Sequence, residues 1–253
     1  MKAKSLMAGA LVLGVTLAVT GCTVLDQVVG RDDWKDWTPT QTSLQISAGG
    51  SVTESIFDTL DQNYYNADEL QDLVARSVKS YNTEHGDHAI SVPAYSAENG
   101  KISLTLVYRT PEDYASYNQV SFADGPMLDV QMSGITFPDT FLKVSGSSLT
   151  DQGVSSDEAL SHKEYSVTVT VADHVVQVPG QIRYLSANAE LVNSHVAQPK
   201  LQEETDTASE TGLVLPSNAV YYGTEGETEE AEPAVKTQQL MYIIYEKDAE
   251  QST

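Results

Sequence analysis

The chain has 253 residues, with 36 Asp and Glu against 14 Lys and Arg, five His, one Cys and a formal net charge of −22. That charge repels phosphate backbones and excludes nucleic acid as a partner class. A single Cys excludes both an internal disulfide framework and a Cys-rich zinc module, and the length allows one large domain or two small ones.

Lys2 and Lys4 precede an apolar run from Leu6 to Thr20 that ends in small residues. The run is shorter than the roughly 20 residues a bilayer span needs, so it reads as a secretory signal. Val19-Thr20-Gly21-Cys22 resembles the lipobox of bacterial lipoprotein signal peptides, in which an aliphatic residue and small residues precede an obligatory Cys. The resemblance implies that residues 1–21 are a signal peptide cut before Cys22 and that the Cys22 thiol carries a diacylglyceryl group. The protein is then held by lipid on Cys22 at the extracytoplasmic face of the cell membrane, or of an outer membrane where the host is diderm. Two acyl chains anchor far better than one, because each buried methylene contributes about 0.8 kcal/mol. Thr23 after the Cys is not the Asp of an enterobacterial inner-membrane retention signal.

Residues 22–42 read as a tether, with Trp34 and Trp37 as a local hydrophobic clasp on the domain or, alternatively, an interfacial or partner-binding foot. A domain over 43–246 follows, and 247–253 are a tail. Leu44 to Ile46, a Gly49-Gly50 turn and Val52 to Phe57 predict a hairpin. Asn66, with Glu69 three positions on, caps a helix in which Leu70, Leu73, Val74, Val78 and Tyr81 share one face, and Gly86 stops it. Ile90 to Tyr95 and Ile102 to Tyr108 flank Asn99-Gly100, a strong signal for a two-residue hairpin loop. That register puts Val92 opposite Val107 and forces a bulge or an edge position at Pro93. Thr110-Pro111-Glu112-Asp113 opens a short helix.

Beyond it, β character dominates. Ile135 to Phe137 and Thr140 to Val144 are short strand candidates. Tyr165 to Val171 alternates strictly, which predicts Tyr165, Val167, Val169 and Val171 inside and Thr168 and Thr170 toward solvent or a thinner layer. Val175 to Val178, a Pro179-Gly180 turn, Ile182 to Leu185 and Ala189 to Val192 continue the sheet, and Leu240 to Tyr245 is apolar on both faces, as a central strand is. Between Leu201 and Val235 lie nine acids and no Lys or Arg, so 202–211 and 224–234 are expected to be mobile acidic loops. The expected fold class is α+β: a mostly antiparallel sheet with one long amphipathic helix, one short helix and acidic flexible loops near the C-terminus.

Motifs for chemistry are sparse. No Gly-x-Ser-x-Gly elbow, phosphate loop or His-Glu-x-x-His helix occurs, and the only thiol is assigned to lipid, so no catalytic residue and no cofactor is expected. His85, Asp87 and His88 are the one compact set of ligand types, and a metal site would need a third or fourth partner. Tyr64, Tyr65, Tyr221 and Tyr222 are the aromatics that could stack on a sugar ring or a peptide. The leading expectation is a non-catalytic, lipid-anchored envelope domain that binds a protein, a polymer or a small ligand. An envelope hydrolase using Asp or Glu is the alternative, and a transporter-associated solute-binding protein follows less well, since two α/β lobes are missing from the pattern. The alternation of hairpins and polar loops resembles lipoproteins of Gram-positive bacteria that carry no assigned activity, so it implies none.

Overall fold

Strand-forming segments dominate the computed structural model of the chain, which describes residues 37–60, 66–200 and 239–248. In chain order they are β1 (Ser43–Ile46), β2 (Val52–Thr59), α1 (Ala67–His85), β3 (Ile90–Glu98), β4 (Lys101–Tyr108), α2 (Pro111–Asn118), β5 (Ala123–Pro126) and α3 (Met127–Met132). Then come β6 (Thr140–Ser145), β7 (Ser148–Ser155), α4 (Ser156–Leu160), β8 (Ser166–Val171) and β9 (Val175–Gln177). The last elements are β10 (Gly180–Leu185), β11 (Ala189–Asn193), β12 (Val196–Pro199) and β13 (Leu240–Lys247).

The strands form two sheets, one ordered β11-β12-β9-β1-β2-β4-β3 and one ordered β5-β8-β13-β10-β6-β7. Leu44, Ile46 and Val52 of the first share a core cluster with Ile182, Leu185, Met241, Ile243 and Tyr245 of the second, so the sheets pack face to face. Leu70, Val74, Val78 and Tyr81 of α1 join the same cluster. A second cluster lies on the other side of the six-stranded sheet, where Met127, Val130 and Ala159 of α3 and α4 meet Val167, Val169, Tyr184, Tyr242 and Ile244. The six-stranded sheet is therefore covered on both faces, which accounts for the uninterrupted burial of β8 and the apolar run of β13.

Local chemistry places several elements where the sequence puts them. Asn66 caps α1 by accepting hydrogen bonds from the amides of Asp68 and Glu69, and Thr110 caps α2 through the Asp113 amide. Asn99 and Gly100 take positive φ angles of 52° and 74° in the β3–β4 loop, as a tight hairpin loop requires. The expected register holds from Glu98–Lys101 to Ala94–Thr105 and then shifts between Ala94 and Ser91, so Ser91 rather than Val92 faces Val107. Pro93 sits in that bulge on an edge strand, both consequences of its missing N–H.

The expected fold class needs correction. Strand takes 46% and helix 23% of the described residues, and four helices decorate two stacked sheets in a mainly β fold, in place of an α+β arrangement of one sheet with two helices. Three misread features account for this. Ser148 to Ser155 (SLTDQGVS) has no apolar alternation, yet it pairs with β6 as β7. The Pro179-Gly180 step is not a hairpin turn, because β9 lies in one sheet and β10 in the other. Thr168 does not face solvent: it is fully buried on the face turned toward the first sheet, opposite Ile243. In addition, β1 pairs with β9 in parallel, a long-range contact invisible to local patterning. Trp37 is half-buried, while Trp34 and the acidic segments 202–211 and 224–234 lie outside the described residues.

Candidate functional site: an uncharged cleft on the outer face of the six-stranded sheet

Val169 and Tyr242 are neighbours across β8 and β13, and their side chains point away from the first sheet. Over them lie Ser121 and Phe122, which lead into β5, and residues 135–138, which link α3 to β6. Together with Leu240 these residues line a cleft of about 580 Å³, within the range of roughly 300–1,000 Å³ typical of small-molecule sites. The Tyr242 hydroxyl donates to the Thr136 carbonyl at 2.6 Å, and the Tyr242 and Phe137 rings lie 5.6 Å apart. These contacts hold the 135–138 segment above the sheet. Phe122 is fixed from the other side by an edge-to-face contact with Tyr114 at 4.7 Å.

Ile135 to Phe137, expected as a strand, is instead an irregular wall of this cleft. Pro138 supplies no N–H, and Tyr242 takes the carbonyl of Thr136, so the segment has no ladder to join.

A second cleft of about 340 Å³ adjoins the first and shares Pro138, Leu240 and Tyr242 with it. Its floor is a chain of hydrogen bonds. The Tyr242 amide donates to Ser186 Oγ at 2.9 Å, Ser186 Oγ donates to Asn188 Oδ1 at 2.6 Å, and Asn188 Nδ2 donates to the Leu240 carbonyl at 3.0 Å. Thr140 lies at its rim. Among the described residues, neither cleft is lined by Asp, Glu, His, Lys, Arg or Cys. The titratable lining group among the described residues is the Tyr242 hydroxyl, which burial pushes above its ordinary range and so keeps neutral. The pair of clefts can hold apolar and hydrogen-bonding matter.

The polar groups that could do chemistry lie elsewhere and are already partnered. Tyr108 donates to Glu54 Oε2 at 2.6 Å inside the core and accepts from Asn118 Nδ2 at 3.1 Å. Burial raises the Glu54 carboxyl, against the opposing pull of the Tyr108 hydrogen bond and of His174. Asp124 Oδ1 accepts from Thr168 Oγ1 at 2.6 Å and from the Tyr245 hydroxyl at 2.9 Å, and burial raises its carboxyl as well. Ser194, His195 and Asp248 form a third group, with Ser194 Oγ 2.8 Å from His195 Nδ1 and Asp248 Oδ2 3.3 Å from Nε2. It has the residue types of a nucleophilic triad, but none of the three lines either of these clefts.

Of the residues singled out from sequence, Cys22, Tyr64, Tyr65, Tyr221 and Tyr222 lie outside the described residues. His85 ends α1 with its ring stacked on Tyr81 at 4.0 Å, and its carbonyl accepts from Arg109 at 3.3 Å. Asp87 and His88 are exposed in the following turn, where His88 takes a φ of 64°. Among the described residues no group of three or more His, Cys, Asp or Glu is placed to hold a metal ion. The residues of the larger cleft escaped sequence reading because they come from four separated segments and carry no motif. The one local signal was the apolar Ile-Thr-Phe-Pro stretch, whose proline should have demoted it from a strand.

No protein-family model, no curated protein and no solved structure matches the chain. Among the described residues no helix is long and apolar enough to cross a membrane.

Proposed function

We propose that the protein is a lipid-anchored extracytoplasmic lipoprotein whose folded domain is a non-catalytic binding module, with the uncharged cleft as its ligand site. One observation carries the binding part: the larger cleft is built from Phe122, Ile135, Phe137, Val169, Leu240 and Tyr242, and among the described residues its one ionisable lining group is a neutral, hydrogen-bonded tyrosine hydroxyl. A hydrolase using Asp or Glu needs a carboxylate facing its substrate, and among the described residues neither cleft is lined by one. The anchor rests on Val19 to Cys22.

Two measurements test the two parts separately. Metabolic labelling with a palmitate analogue marks the wild type, whereas Cys22→Ala carries no label and remains unprocessed. Equal labelling of the mutant removes the anchor from the proposal. For the cleft, neutral aromatic and aliphatic fragments screened by ligand-observed NMR bind the wild type and lose about tenfold in affinity, or about 1.4 kcal/mol, in Phe137→Ala. A wild type that binds none of them has no site here.

A further inference from the structure

The two clefts differ in chemistry and are joined. The first offers aromatic and aliphatic walls, while the second is floored by the Ser186–Asn188 hydrogen bonds and rimmed by Thr140. Resting on the binding reading above, we propose that the joined clefts take a neutral amphiphile, with an acyl or aryl chain in the first and an uncharged hydroxyl- or amide-bearing head over the second.

Charge selects the head. Among the described residues neither cleft is lined by a carboxylate to pair with a cationic head or by a Lys, Arg or His to pair with an anionic one. An anionic head is further opposed by the protein's net charge of −22. Bringing an unpaired charge against such walls is costly, whereas a hydroxyl or amide can exchange its water for protein groups. The exposed hydroxyls of Ser121, Thr136 and Thr140 hold no hydrogen bond among the described residues and are available as such partners.

The tail has room beyond the cleft. Leu128 and Met132, four residues apart on α3, are 51% and 78% exposed, and α3 runs by way of Gly134 into the cleft wall at Ile135. An extended peptide fits less well. Main-chain recognition needs a free strand edge, but β8 is paired by β5 on one side and by β13 on the other, and the 135–138 wall presents a proline and a carbonyl already bonded to Tyr242.

The test uses five probes below their micelle concentrations: octyl glucoside, octyl sulfate, octyltrimethylammonium, octanol and methyl glucoside. Each is titrated calorimetrically into the full chain carrying Cys22→Ser, so that no protein-bound lipid competes. Octyl glucoside is expected to bind about tenfold or more tightly than both charged surfactants and than either half-probe. The exposed rim variant Thr140→Lys, which leaves the core untouched, should convert the preference to octyl sulfate while still rejecting octyltrimethylammonium. Charged surfactants binding as well as octyl glucoside, or a preference unmoved by Thr140→Lys, overturn the proposal. If octanol binds as tightly as octyl glucoside, head selection is refuted while the apolar cleft stands. If no probe binds, the cleft reading falls with it.

Discussion

Glu54 is a single residue whose burial sets ionisation against stability. It faces the core between Leu44 and Leu106 across the first sheet, is 6% exposed, and meets one hydroxyl. Burial raises its carboxyl above the usual carboxylate range, so the folded state binds this proton more tightly than the unfolded chain does. The contribution is then fully present below the unfolded value near 4.5 and is lost as pH rises through the folded value, which leaves ionised Glu54 a liability at neutral pH. Glu54→Gln keeps an acceptor for Tyr108 and removes the ionisation. Its melting temperature should exceed the wild type at pH 7.5, with the gain shrinking toward pH 4, and a mutant that melts lower at neutral pH would mean that the charge is used. His174 titrates in the same neighbourhood. Burial opposes its charge, but the Asp173 carboxylate and Glu54 outweigh burial and raise it, so its own contribution is likewise lost on the alkaline side.

At the scale of elements, β8 is the strand whose two faces both matter. Val169 lines the cleft side and Thr168 the side between the sheets, where its hydroxyl donates to Asp124. Thr168→Asp and Val169→Asp should therefore be comparably damaging. Each buries an unpaired carboxylate at about 3 kcal/mol or more, against a total stability of about 5–15 kcal/mol, and in Thr168→Asp the new carboxylate also faces Asp124. Ser148→Asp on the exposed edge strand β7 should stay within about 0.5 kcal/mol of the wild type. Thermal melts of the three check this, and a mild Thr168→Asp would show that the first sheet does not cover that face. The step between sheets is equally specific. A Cβ on Gly180 would lie 2.2 Å from the Glu246 carbonyl oxygen, closer than any side chain tolerates. Gly180→Ala should cost at least about 2 kcal/mol in chemical denaturation, because backbone on both sides must move.

For the whole molecule, charge is the dominant long-range influence. The ion pairs Lys143–Glu158 and Arg183–Glu246 have substantially exposed partners and contribute little, so salt has little to remove from them. Self-repulsion at a net charge of −22 acts over longer distances and is screened as the Debye length falls from about 10 Å at 0.1 M salt to about 3 Å at 1 M. The melting temperature should therefore rise steadily from 0.05 to 0.5 M NaCl. A fall over that range would mean that the surface ion pairs outweigh the repulsion.

What was legible in the sequence is what neighbouring residues decide among themselves. The Asn66 cap, the Asn99-Gly100 loop with its positive φ angles, the bulge at Pro93 and the two-faced burial of β13 all follow from backbone sterics, a missing N–H or side-chain pattern within one segment. The sheet to which each strand belongs was not legible, because β9 and β10 are separated by two residues yet join different sheets, and β1 finds β9 in parallel from more than a hundred residues away. The outer cover of β8 and the inward turn of Thr168 were hidden for the same reason, since alternation records two faces of a strand and not what lies against them. The cleft was decided by four segments that meet only in the folded molecule: Phe122 before β5, Ile135 to Pro138 before β6, Val169 in β8 and Leu240 with Tyr242 in the final strand. Local sterics act on each residue wherever the chain is, whereas a concave surface exists only between elements whose pairing and burial are settled by the whole fold.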